Sequence, residues 1–149
     1  MGSSHHEAPG QVKDLAILDA GPMLSAVDEG DNSYRAAVEA IGDPRFHLLV
    51  PVMCIAEAAH IIERNLGSQV EAGYLAALAS FHVVAPEPED FARMAELVRQ
   101  YANFPLGGTD ASIVAMAERL DIRTIITLDR RHFSAIRPRH CEQFTILPG

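Results

Sequence analysis

Four acidic side chains in this chain stand beside residues that belong in a core. Asp19 closes the apolar run Leu15–Leu18, Glu57 lies inside Val52–Ile62, Asp110 opens Thr109–Ala117, and Asp129 follows Thr124–Leu128. An ionised carboxylate among core-forming residues is costly unless something pairs with it. In three of the four segments the nearest basic residue is several positions away, so a divalent cation is the economical partner. Hard cations such as Mg²⁺ and Mn²⁺ take oxygen ligands and bind through a few carboxylates together with substrate phosphate oxygens. Such clusters activate water and stabilise in-line displacement at phosphorus. Zinc fits less well, because His60, His82, His132 and His140 are scattered without ligand spacing.

Each acid also has a plainer reading. Asp19 can be a turn acid or the cap of a helix entered through Gly21-Pro22. Asp129-Arg130-Arg131 can be a polar loop after a strand. Asp110 can sit in a first helical turn, where acids are favoured near free N–H groups. Glu57, with Met53, Cys54 and Ile61 as helical neighbours, needs either a cleft to rim or Arg64, seven residues on, as a partner. Taken together, four acids at one edge point to a metal-dependent site.

The elements that must position them alternate in type. Leu15–Leu18 is a continuous apolar run suited to a buried parallel strand. Further strands are expected at His47–Pro51, Phe81–Ala85, Thr124–Leu128 and Phe144–Leu147. Helices are expected from Pro22 to about Val27, over Tyr34–Ile41, from about Met53 to Asn65, from Ser68 through Leu78, over Glu87–Tyr101 and from Thr109 to about Leu120. In the Glu87–Tyr101 helix, Phe91, Met94, Ala95, Val98 and Tyr101 share one face by the helical period. Tyr34, Ala37, Val38 and Ile41 form another apolar face, suited to core or to a partner helix. This alternation predicts an α/β fold: a three-layer α/β/α arrangement around a central, mostly parallel sheet of four to five strands. Ligands of such sheets gather beyond the carboxyl ends of the strands, where Asp19 and Asp129 fall on two different strands.

The bulk properties agree. At 149 residues, 48% of them hydrophobic, the chain fits one folded domain, here residues 11–149, after an expression-tag-like start over 1–10 that includes Gly2-Ser3-Ser4-His5-His6. No apolar run approaches the roughly 20 residues of a membrane helix. Two cysteines, Cys54 and Cys141, are too few for a disulfide framework and suit a reducing cytoplasm. Charge divides unevenly: residues 1–118 carry 6 basic against 17 acidic side chains, and residues 119–149 carry 6 Arg against 3 acids. The net charge of −8 argues against a general nucleic-acid coat protein but not against a nuclease with a local basic rim. Arg130, Arg131, Arg137 and Arg139 are candidate phosphate contacts, or else solvated balance for an acidic protein. Lys13 is the sole lysine.

The segments Ile17-Leu18-Asp19-Ala20-Gly21-Pro22-Met23-Leu24, Ala56-Glu57-Ala58, Leu106-Gly107-Gly108-Thr109-Asp110-Ala111 and Thr127-Leu128-Asp129-Arg130-Arg131-His132-Phe133 together resemble the PIN-domain ribonucleases. Within that family they resemble the VapC-type toxins of bacterial toxin–antitoxin pairs. The order of the acids and their separations of 38, 53 and 19 residues carry the resemblance, which spans Leu15 to Leu147. It implies that Asp19, Glu57, Asp110 and Asp129 are the catalytic and metal-binding set. It also implies a Mg²⁺- or Mn²⁺-dependent endoribonuclease that cuts structured RNA, such as tRNA or ribosomal RNA, inhibits translation, and leaves a 5′-phosphate and a 3′-hydroxyl. A homodimer blocked by a cognate VapB-like antitoxin is implied as well. The family often has Thr or Ser shortly after the first acid, where this chain has Ala20-Gly21; Thr109 or Thr127 can supply the missing hydroxyl.

Rival chemistries lack their residues. A phosphoacceptor receiver domain wants an acidic pair after the first strand and a late lysine, and haloacid-dehalogenase phosphatases want a second Asp where Gly21 stands. No Gly-x-Ser-x-Gly elbow or phosphate loop occurs. The alternative is a catalytically inactive PIN-like module for binding or dimerisation, against which the retention of all four acids weighs.

Overall fold

The structure, a computed structural model, describes residues 12–149; the tag-like start lies outside the described residues. Five strands form one sheet: β1 (Asp14–Leu18), β2 (Phe46–Pro51), β3 (His82–Val84), β4 (Thr124–Ile126) and β5 (Thr145–Leu147). All neighbours are parallel, in the order β3-β2-β1-β4-β5. The apolar run that read as a buried strand is the central one, with Ala16, Ile17 and Leu18 buried between β2 and β4. A central parallel strand covered on both faces needs such an uninterrupted run.

Seven helices complete the fold, with a 3₁₀ turn at Leu78–Ser80: α1 (Ala20–Ala26), α2 (Tyr34–Ile41), α3 (Val52–Leu66), α4 (Ser68–Ala77), α5 (Pro88–Gln100), α6 (Gly108–Leu120) and α7 (Arg130–Ala135). The chain moves outward from β1 to β2 and β3, then crosses back to β4 on the other side of β1. Right-handed crossovers therefore place the earlier and later helices on opposite faces. The reversal falls between β1 and β4, which is where open α/β sheets place ligands. The three-layer expectation holds.

Local differences have local causes. Helix α1 begins at Ala20 instead of Pro22, because the Asp19 side chain caps it by accepting the Ala20 N–H at 2.7 Å. In α5 the buried stripe is Asp90, Met94 and Leu97, while Phe91 and Val98 are exposed. The expected face is rotated because Asp90 does not turn to solvent. It is instead the third helical residue of a capping box, accepting the Glu87 N–H at 2.8 Å, and it pairs with Arg119 of α6 at 2.9 Å. Helix α6 is buried at every position from Ala111 to Ala117, as expected of a helix apolar on all sides. Ala37 of α2 is core, whereas Val38 is exposed. Helix α7 has no counterpart among the expected helices; the polar loop that Asp129-Arg130-Arg131 could have been is its N-cap and first turn.

Candidate active site

At the switch point the first residues beyond β1 and β4 face each other. The Asp19 N–H donates to the Ile126 carbonyl at 2.9 Å, extending the ladder by one bond and fixing the Asp19 backbone at the sheet edge. Its carboxylate is 8% exposed. Oδ1 accepts the Ala20 N–H, and Oδ2 accepts the Thr127 hydroxyl at 2.7 Å. The Cys54 sulfur of α3 lies beneath, 3.8 Å from Oδ1. Burial raises the Asp19 pKa, Thr127 and Ala20 pull it back, and the nearby Asp129 charge adds to the rise.

Thr127 joins two of the acids. Its Oγ1 donates to Asp19 and accepts the Asp129 N–H at 2.9 Å, and the residue is fully buried. The hydroxyl absent after Asp19 is thus supplied from β4's extension. Thr109 lines the cleft, and its carbonyl accepts the Ser112 hydroxyl at 2.6 Å.

Asp129 caps α7, accepting the His132 N–H at 3.2 Å and contacting the His132 ring Nδ1. Asp110 lies in the first turn of α6, half-buried and pointing along the inward edge. Its pKa is pushed up to about 6, first by burial and then by Asp19, Asp129 and Glu57, with His132 opposing. Glu57 is exposed on α3, whose buried stripe is Cys54, Ala58 and Ile62. The cost of burying charge therefore applies to Asp19 and, in part, to Asp110. Glu57 rims the cleft in water and makes no ion pair with Arg64 among the described residues.

All four acids line one open cleft of about 560 Å³, floored by Thr127 and walled by Gly107, Gly108 and Leu24. Among the described residues the arginine ion pairs fall elsewhere: Arg93 with Glu96 and Glu118, Arg119 with Asp90, Arg139 with Glu96, and Arg45 and Arg123 with local acids. Among the described residues the one basic side chain that contacts a cleft acid is His132, at Asp129. Oxygen donors dominate this set, as hard divalent cations require, and one ligand atom each from Asp110, Asp129 and His132 lies within 4.8 Å of the other two. The residues present fit such an ion.

His132 is the residue that sequence reasoning missed. Its signal was an imidazole three residues after an acid that follows a strand, readable only once Asp129 is seen as a helix cap. The arginine candidates separate as well. Arg130 is held by the Ile146 and Pro148 carbonyls at 3.3 and 2.9 Å, and Arg137 donates to the Ser134 carbonyl. Arg131 is exposed beside the cleft acid Asp129.

The PIN domain family matches residues 16–137. Ribonuclease VapC26 of Mycobacterium tuberculosis is 31% identical over 134 residues, covering 89% of this chain and 99% of the relative. Among solved structures, M. tuberculosis VapC20, a sarcin–ricin loop cleaving toxin, superposes with a TM-score of 0.68 at 14% identity, over 74% of this chain and 86% of that one. VapBC2 from Rickettsia felis, bound to a promoter DNA fragment, gives 0.65 at 14% identity over 89% and 96%. The chain belongs to the PIN-domain family, with VapC-type ribonucleases among its relatives. No described helix is long and apolar enough to cross a membrane.

Proposed function

We propose that this protein is a divalent-metal-dependent endoribonuclease, the toxin of a VapBC-type pair, which hydrolyses structured RNA such as tRNA or ribosomal RNA and so inhibits translation. The observation that carries it is the convergence of Asp19, Glu57, Asp110 and Asp129 on one cleft, with no guanidinium among the described residues to neutralise them. Kinship with a ribonuclease 31% identical supports the reaction class. Neighbouring folds solved as toxin–antitoxin complexes support an antitoxin partner.

Asp19, Asp110 and Asp129 would hold the cation, Mg²⁺ or Mn²⁺, and Glu57 would complete the set or serve as base. When bound, such an ion lowers the pKa of water and neutralises charge on a phosphodiester. Thr127 holds Asp19 and the Asp129 backbone in one fixed relation, so the two carboxylates need no reorganisation. Glu57, exposed at the rim, is placed to take the proton of the attacking water. The water oxygen bonds to phosphorus as the 3′-oxygen leaves and is protonated, giving a 5′-phosphate and a 3′-hydroxyl. Arg131 is the arginine best placed to meet RNA phosphates near the cleft. The protein acts in the cytoplasm, as a homodimer.

The test is cleavage of structured RNA with added Mg²⁺ or Mn²⁺, with EDTA and the variants Asp19→Asn and Asp110→Asn as controls. Metal-dependent cleavage lost in both variants is the expected result. Equal degradation by wild type and variants indicates contamination and ends the enzymatic reading. Growth arrest on expression, relieved by the neighbouring gene product, tests the toxin role separately.

A further inference from the structure

Both oxygens of Asp129 are engaged by a single residue. The backbone N–H of His132 reaches Oδ1 at 3.2 Å, and its ring Nδ1 meets Oδ2. From the other side Phe104 packs edge-on against the imidazole, with ring centroids 4.8 Å apart. The ring is thereby fixed beside the cleft acid Asp129, with 29% of its side chain exposed. It lies in the one described cluster whose donor atoms could surround an ion: a His132 nitrogen and one oxygen each from Asp110 and Asp129, all within 4.8 Å. Donors sharing an ion at roughly 2.0–2.2 Å lie no more than about 4.4 Å apart. A small inward shift closes the trio.

We propose that His132 is a nitrogen ligand of the cleft cation, forming with Asp110 and Asp129 a mixed nitrogen–oxygen site that favours Mn²⁺ over Mg²⁺. This rests on the reading of the cleft as a cation site and specifies which ion it selects. Carboxylate and water suit Mg²⁺ and Mn²⁺ alike, whereas imidazole suits transition ions and is a poor partner for Mg²⁺. The ring's hydrogen bond to Asp129 keeps the nitrogen beside the carboxylate with which it would share the ion.

Loss of affinity alone does not decide the matter, because removing an outer-sphere partner of a ligand also weakens binding by roughly 10–100-fold. The deciding measurement is the nitrogen coupling of bound Mn²⁺. The full chain, carrying His5→Ala and His6→Ala to remove the terminal histidines, is stripped of metal and titrated with MnCl₂. Free ion is followed by electron paramagnetic resonance and bound ion by its pulsed form. Samples with natural-abundance and ¹⁵N-labelled histidine are run in parallel. The expected result is a ¹⁴N coupling that changes to ¹⁵N on labelling. It disappears in His132→Ala and His132→Gln while Mn²⁺ still binds, roughly tenfold or more weakly. Mg²⁺ affinity, read by competition, falls less, so the preference for Mn²⁺ narrows. Bound Mn²⁺ without histidine coupling, or coupling that survives in a folded His132 variant, overturns the proposal. Should wild type bind no more Mn²⁺ than the Asp19→Asn/Asp110→Asn chain, the cation reading of the cleft itself fails, a result distinct from Mn²⁺ bound without nitrogen.

Discussion

Among the described residues two carboxylates are buried, and their surroundings are opposite. Asp90 on α5 is 2% exposed, accepts the Glu87 N–H, and is closed by the Arg119 guanidinium; beside it Arg93 grips Glu118 at 2.8 Å. Asp19, 8% exposed, has a hydroxyl, an amide and a thiol for company, and its nearest charged neighbours are acids. A buried charge with a matched partner holds two helices in register. A buried charge facing others of its sign stores repulsion, which either a proton or a bound cation relieves. On the α5–α6 seam the protein completes its electrostatics internally, whereas the cleft acids meet no guanidinium among the described residues.

Substitutions should separate the two regions. Asp110→Asn is expected to lower RNA cleavage by at least about 10³-fold, as loss of a primary catalytic group does, while Asp90→Asn leaves cleavage per folded molecule within about twofold. Initial rates on one structured RNA check both. In thermal or urea unfolding the order reverses. Asp90→Asn strands Arg119 and should destabilise by about 2–3 kcal/mol. Asp110→Asn should stabilise the metal-free protein by roughly 1–2 kcal/mol, discounted for the solvent reaching the group.

The pH dependence sharpens the same contrast. Asp110 is raised from 3.8 to about 6, so between those values the folded state holds more protons than the unfolded one. Its contribution to stability is full below the unfolded pKa and is lost as pH rises through the folded value. Metal-free wild type should therefore lose stability across that window relative to Asp110→Asn, and saturating Mn²⁺ at neutral pH should restore it. Unfolding midpoints measured from pH 4 to 7 test this, and parallel curves for the two proteins would sink it. The smallest effect concerns the hydroxyl bridge. Thr127→Val keeps the shape but removes the bonds to Asp19 and the Asp129 amide, lowering cleavage about tenfold and stability by about 1 kcal/mol. Thr127→Ser should recover most of both, and Thr109→Val should change cleavage by no more than about twofold.

Much of this was legible in the chain. A continuous apolar run ending in an acid reads as a buried strand delivering a side chain to a sheet edge, and Leu15–Asp19 does so. Two such runs, before Asp19 and before Asp129, were enough to anticipate adjacent carboxylates. Glu57 reads as needing either a cleft to rim or Arg64 as a partner, and it rims the cleft; the choice between the two lay outside the chain's local pattern, because composition along a helix does not say which way it is rotated. Asp90 was overlooked for the same reason, its partner being 29 residues away on α6. The short α7 escaped because six residues carry too little periodicity to distinguish a helix from a loop.

Sequence by itself determined the strand and helix alternation, hence the parallel sheet, since the hydrophobic period and turn residues are local properties of the chain. It also marked four acids beside core-forming residues, three of them with no basic residue close by in the chain. Tertiary structure alone decided which charges are paired, that Thr127 replaces the hydroxyl missing after Asp19, and that His132 joins the carboxylates. Those outcomes depend on through-space distances of a few ångströms between residues up to 108 apart in the chain. Coulomb and hydrogen-bond energies follow distance in space, which sequence separation does not encode.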